Sequence, residues 1–251
     1  MILTLSPQVS RLQKQRCEIK DISSEVQSKG DWNFVVVGAG PGGVPSATAA
    51  ARHGLKTALI TGRPSVGGNA SNEGTIGLDG AGSRFLGYHE SGIANEIKRV
   101  REFKKCSWQA AMEYLISKEE NLTFFCNELC IDATTENSLI KTVTTINTLT
   151  LEKSTFSGKL FADCSGDAWL GYYSGATYRI GREAKWQYNE EFAPDAADTL
   201  TMSGCICAQP DPTIKNSADI RLSFQISRSR LLRPNGPLNC RRAKISANSN
   251  G

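Results

Sequence analysis

Residues 34–70, FVVVGAGPGGVPSATAAARHGLKTALITGRPSVGGNA, decide how the rest of the chain is read. Phe34 to Val37 is a short apolar run rich in β-branched residues, which suits a central parallel strand covered on both faces. It runs straight into GAGPGG at 38–43, so Gly38, Gly40 and Gly43 form G-x-G-x-x-G where strand should become helix. Gly38 permits the tight turn, Gly40 lets the backbone come close to a pyrophosphate, and Gly43 lets the next helix lie close on the sheet; Gly42 adds a further residue without a side chain. An anion there would meet the free N–H groups of the first turn of a helix through Ser46–Ala51, ended by Gly54. Thr57 to Ile60 reads as the second strand. The ordered series of strand, glycines, Ala-rich helix, glycine and strand predicts dinucleotide binding.

Which dinucleotide is open at this level. An acidic residue closing the second strand would hold the adenosine ribose, but Thr61 stands there and no Asp or Glu occurs between Asp31 and Glu73. Arg63 could hold a 2′-phosphate, which makes an NADP-dependent dehydrogenase the competing reading. Gly67 and Gly68, in the turn-rich loop 63–72, allow a second close backbone approach.

The 251 residues, 39% of them hydrophobic, can bury one good core or one core and part of another. A net charge of +4, from 29 basic and 25 acidic residues spread along the chain, gives no basic run for nucleic acid. No stretch approaches the ~20 apolar residues of a membrane span. Eight cysteines at 17, 106, 126, 130, 164, 205, 207 and 240 form no C-x-x-C pair and no zinc spacing, and read as reduced cytoplasmic thiols. A cytoplasmic, unexported protein without metal is the expectation.

Along the chain, residues 1–30 read as a leader of unknown role. Ile93–Phe103 and Trp108–Ser117 have helical spacing, with Ser107 as cap. From Leu122 the period becomes two, and Leu122–Cys126, Leu129–Thr134, Leu139–Ile146 and Leu149–Lys153 predict a β-meander with a turn at Asn137–Ser138. Lys159–Asp163 predicts a last strand running into CSGD, where Asp163, Gly166 and Asp167 can receive ribose or ribityl hydroxyls and Asp167 can cap the next helix.

These residues resemble the FAD-dependent oxidoreductase family with a glutathione-reductase-like FAD domain. The likeness rests on GAGPGG at 38–43, RPSVGGNASNE at 63–73, HESGIANEI at 89–97, FADCSGDAWLGYYSGA at 161–176 and YRIGREA at 178–184. Thr61 at the end of the second strand, Asn72 in the S-S-E position and Pro45 in the first helix depart from the pattern. The resemblance implies an α/β fold: a Rossmann-like FAD-binding domain with a central parallel sheet and inserted β-meander over 31–185, and a partial second domain over 186–251. It implies FAD held by Gly38, Gly40 and Gly43 at the pyrophosphate, by Gly67, Gly68, Asn69 and Ala70 along the flavin, and by Asp163 to Asp167 at the pyrophosphate and ribityl chain. It also implies hydride transfer from a small organic substrate to flavin, with Glu73 or His89 moving the proton. The stretch that in such proteins returns to complete the flavin site has no counterpart after Ala208. The expectation is therefore a chain truncated at its C-terminus, completed by a partner chain or a longer product, or else an inactive fragment serving as a binding module.

Overall fold

The computed structural model describes residues 18–19, 25–78 and 92–201. Six strands form one sheet: β1 (Val26–Val37), β2 (Thr57–Ile60), β3 (Leu122–Phe125), β4 (Glu128–Glu136), β5 (Leu139–Asn147) and β6 (Lys153–Asp163), in the order β3-β2-β1-β6-β5-β4. The first four of that order are parallel, while β4, β5 and β6 form an antiparallel meander that joins the parallel part through β6. Helix α1 (Gly43–Arg52) crosses from β1 to β2; α2 (Ile93–Lys104) and α3 (Trp108–Ile116) precede β3. Ser107 caps α3 by accepting from the Ala110 N–H at 3.2 Å, as its position in the sequence predicts.

The apolar run of β1 splits between two cores. Val36 faces the helices and packs with Val44, Leu59, Ile97, Met112 and Leu115. Val35 and Val37 face the other way, onto Ile60, Cys130, Val143 and Phe156. The sheet curls so that the start of β4 returns to the end of β2, where the Glu128 N–H donates to the Thr61 carbonyl at 2.8 Å. Val35–Val37 of β1 and the whole of β2 are thereby buried on both faces, which is why they read as continuous rather than alternating runs.

The strands differ from the sequence reading in three places. β1 begins at Val26, taking in residues set aside with the leader, and pairs with β6 along its whole length through a bulge between Ser28 and Asp31 that includes Gly30 at φ +88°. Of the expected strand 149–153 only Lys153 is in a strand: residues 149–152 lie in the connection from β5, and β6 runs unbroken from Lys153 through the expected strand 159–163, its partners β1 and β5 overriding the weak apolar pattern of the polar residues between. Leu122–Phe125 lies beside β2 as a parallel strand and not in the meander. Asn137 and Ser138, at φ +50° and +62°, make the predicted hairpin turn.

A short helix α4 (Trp169–Tyr173) follows β6, and α5 (Lys185–Tyr188) lies in a segment held to itself by the Arg182–Asp198 ion pair and by Lys185 N–H donating to the Pro194 carbonyl at 2.7 Å. Cys106, Cys126 and Cys164 are free thiols. Among the described residues no helix is long and apolar enough to cross a membrane.

Phe156 is fully buried and meets Phe125 edge-on at 4.9 Å between ring centroids, with Trp32 on the far side of Phe125 at 5.6 Å. Phe156→Ala should lower the unfolding free energy by about 3–5 kcal/mol in denaturant titration. A smaller effect is expected at Arg52, which binds both carboxylate oxygens of Glu96 at 2.7 and 2.9 Å and Glu119 at 2.8 Å. The Arg52 hydrogen bonds hold the Glu96 carboxyl below the ordinary glutamate range. That contribution is complete above the ordinary value and disappears as pH falls through the lowered one. Because both side chains are well exposed, Glu96→Gln should cost less than about 1 kcal/mol at neutral pH, and the difference from wild type should close in strongly acidic buffer.

Candidate functional site

The carboxyl ends of three parallel strands meet at Gly38. Its N–H donates to the Ile60 carbonyl of β2 at 2.7 Å, and the Cys164 N–H, just past β6, donates to the Val37 carbonyl at 2.7 Å. A Cβ on Gly38, at φ +108°, would lie 2.1 Å from the Cys164 carbonyl oxygen, and one on Gly43 would lie 1.7 Å from the Gly38 carbonyl oxygen. The protein's own packing therefore dictates glycine at 38 and 43.

Gly40 and Gly42 are different. A Cβ at Gly40 would find its nearest neighbour, the Gly68 Cα, at 4.0 Å, and one at Gly42 would meet nothing within 4 Å. Neither has a positive φ. None of the described residues fills the space over the first turn of α1. Among the described residues the N–H groups of Gly40, Gly42 and Gly43 have no hydrogen-bond partner, and the first turn of α1 holds no acidic residue and no side-chain cap.

The loop after β2 is strapped onto this turn. Gly67 N–H donates to the Ala39 carbonyl at 2.7 Å, and a Cβ on Gly68 would stand 3.1 Å from the Gly40 Cα. Val66 and Ala70 anchor the loop in the core below, so Ala70 offers a ligand only its backbone, while Asn69 is exposed. Arg63 turns inward: its Nη1 donates to the Gly68 carbonyl at 3.1 Å and lies 3.6 Å from the Glu73 carboxylate. The Ser71 hydroxyl donates to the same carbonyl at 2.7 Å. Thr61 is buried, its hydroxyl accepting the Arg63 N–H at 3.3 Å and its own N–H donating to the Phe125 carbonyl at 3.0 Å.

At the end of β6 the Asp163 carboxylate is occupied. One oxygen accepts from the Ser165 N–H at 3.0 Å and hydroxyl at 2.7 Å, and the other from the Gly171 N–H at 2.9 Å. Asp163 and Ser165, which also accepts from the Trp169 N–H at 3.2 Å, hold the start of α4; the capping role expected of Asp167 falls to them because Ala168 takes up a left-handed conformation between. Gly166, at φ +84°, faces open space, and exposed Asp167 accepts from the Trp169 indole at 3.4 Å. Burial, and secondarily the charge of Asp163, push the Cys164 thiol above its ordinary pKa, so it remains protonated against the glycine turn.

The structure thus brings Gly38, Gly40, Gly42, Gly43, Gly67 and Gly68 together, with Asp163 just before the Cys164 contact and Gly166 and Asp167 just after it. Glu73 is exposed on the same loop; His89 lies outside the described residues. Ser71 and Cys164 lie inside quoted motifs, though sequence reasoning assigned neither a role of its own; Glu128 went unnoticed because a buried carboxylate has no local pattern.

The chain matches the model of the family described as FAD dependent oxidoreductase over residues 33–234. It is similar to the protein named soluble pyridine nucleotide transhydrogenase of Azotobacter vinelandii (strain DJ / ATCC BAA-1303), 27% identical over 132 residues, which cover 45% of this chain and 28% of the relative. Its likeness to the protein of the same name from Marinobacter nauticus (strain ATCC 700491 / DSM 11845 / VT8) is 47% identity over 45 residues, 18% of this chain and 10% of the relative. The chain spans less than a third of the length of these curated relatives. A geranylgeranyl bacteriochlorophyll reductase-like protein from Thermoplasma acidophilum aligns with a TM-score of 0.43 at 18% identity, over 64% of this chain and 45% of that one. With the match to residues 33–234 taking in well over half of its length, the chain belongs to the FAD dependent oxidoreductase family, whose cofactor is FAD.

Proposed function

We propose that residues 31–185 carry the FAD-binding unit and that the loaded protein oxidises a small organic substrate, FAD supplying the acceptor for a hydride. The observation that carries this reading is the open space over Gly40 and Gly42, above N–H groups that nothing in the described chain engages. Those N–H groups and the positive end of α1 suit a pyrophosphate. Gly38 and Gly43 hold the strand-to-helix turn in shape beneath it. The backbone of Gly67, Gly68 and Ala70, with the exposed Asn69, would hold the flavin side. Gly166 and Asp167 would hold the ribityl chain, with Asp163 fixing Ser165 and Gly171 on either side of them.

At the adenosine ribose, Thr61 offers no carboxylate and spends its hydroxyl on Arg63, so recognition there falls to backbone groups. The inward turn of Arg63 onto Gly68 and Glu73 speaks against a 2′-phosphate and hence against NADP. Proton transfer is assigned to Glu73 or His89.

The experiment is cofactor identification in the purified full chain, by visible absorption and by mass spectrometry of the released ligand. Bound FAD is expected; a colourless protein that retains NADP would overturn the reading. Gly40→Val, whose Cβ would enter the open space with no atom nearer than the Gly68 Cα at 4.0 Å, should weaken FAD binding more than tenfold while leaving the circular dichroism spectrum unchanged. Undiminished FAD content in that variant would show that the space serves something else.

A further inference from the structure

Glu128, the first residue of β4, is 6% exposed and carries a carboxylate that the reaction above does not use. Its hydrogen-bond donors are neutral: the Thr145 hydroxyl at 2.5 Å and the Asn147 side-chain amide at 3.1 Å, both on β5. Burying a carboxylate among neutral donors is a costly way to hold two strands together, since a well-packed apolar residue does so more cheaply. What the carboxylate adds is fixed geometry, because both donors must sit at set positions.

Those positions lead to the nucleotide loop. The Glu128 N–H donates to the Thr61 carbonyl at 2.8 Å, and the Asn127 N–H donates to the Arg63 carbonyl at 3.0 Å. Residues 61–63 leave the sheet resting on Asn127–Glu128, so closely that a Cβ on Gly62 would lie 3.0 Å from the Leu129 side chain. The far side of this platform is equally held. Asn147 accepts from the N–H groups of Leu149 and Thr150 at 3.0 and 3.1 Å, and Thr148 N–H donates to the Asn127 carbonyl at 2.7 Å. A continuous chain of hydrogen bonds thus runs from the β5–β6 turn through Glu128 to the root of the loop that carries Gly67 and Gly68.

We propose that Glu128 is a positioning residue for the nucleotide: its carboxylate clamps the start of β4 to Thr145 and Asn147 and so sets the level from which residues 61–73 reach over the glycine turn. Where the second strand ends in Thr61 and has no carboxylate to grip the ribose, the backbone must be placed accurately instead, and Glu128 places it. This inference rests on the FAD reading for its effect on affinity but not for its effect on the loop.

The test compares Glu128→Leu, which removes both acceptors, with Glu128→Gln, which keeps an acceptor and the shape, in the full chain. Amide hydrogen exchange at Asn127 and Gly67 should be at least tenfold faster in the Leu variant and near wild type in the Gln variant, with Val36 in the core unchanged. Affinities for FAD and for ADP should both fall more than tenfold with Leu and less than threefold with Gln. Thr145→Val, which deletes a single donor, should show the same pattern more weakly and stands in if the Leu variant does not fold. Unchanged exchange at Asn127 and Gly67, or a lower melting temperature with unaltered affinities, would overturn the proposal. Wild-type protein that binds neither FAD nor ADP would instead defeat the FAD reading, and the exchange data would still judge the clamp.

Discussion

Everything at the candidate site depends on how closely three backbones approach one another at Gly38. The residue donates to β2, sits against the carbonyl that follows β6, and lends its own carbonyl as the floor on which Gly43 rests. No side chain fits at either glycine, so the distance between sheet and helix is set by backbone contact and not by packing that a neighbour could adjust. The direction in which α1 points its first N–H groups follows from that contact. So does the place where the loop from β2 can lie, because Gly67 and Gly68 dock on Ala39 and Gly40.

The cores on the two faces of the sheet keep this junction from spreading. Helices α1 to α3 close one face and the curled meander closes the other, so β1 and β2 have apolar contacts above and below. The meander does more than cover. By returning Glu128 to Thr61 it supports the second strand at the point where its chain leaves the sheet, and by sharing β6 with the parallel strands it fixes Cys164 against Gly38. One insertion thereby braces both sides of the glycine turn.

The sequence displayed the parts of this arrangement whose pattern is local. Phe34–Val37, the glycines after it, the helix caps at Ser107 and Gly54, and the Asn137–Ser138 turn each declare themselves within a few residues. What stayed hidden depends on distant partners. The strand character of Val26–Gly30 comes from pairing with Lys153–Ser157, and the unity of β6 comes from neighbours on both sides, neither of which leaves a mark on hydrophobic spacing. The site divides in the same way. Glycine spacing located the turn, but only the folded backbone separates Gly38 and Gly43, where a Cβ would strike the protein itself, from Gly40 and Gly42, where it would find room. Asp163 looked like a ligand contact because a carboxylate at a strand end is well placed for one, and its three internal hydrogen bonds could not be read from FADCSGD.

The pairing of β1 with β6 joins residues more than a hundred positions apart, and it is this pairing that backs the glycine turn with Cys164. On a ribosome the strand, turn and first helix emerge early, but the surface they must lean on belongs to the last strand of the sheet to be made. Until it arrives, the apolar edge of β1 is uncovered and the turn has no wall behind Gly38. Closing so long a loop is the slow step in proteins of this topology, and the nascent chain is most open to mispairing while it waits. The nucleotide cradle, first in sequence, is then among the last features to take its final form.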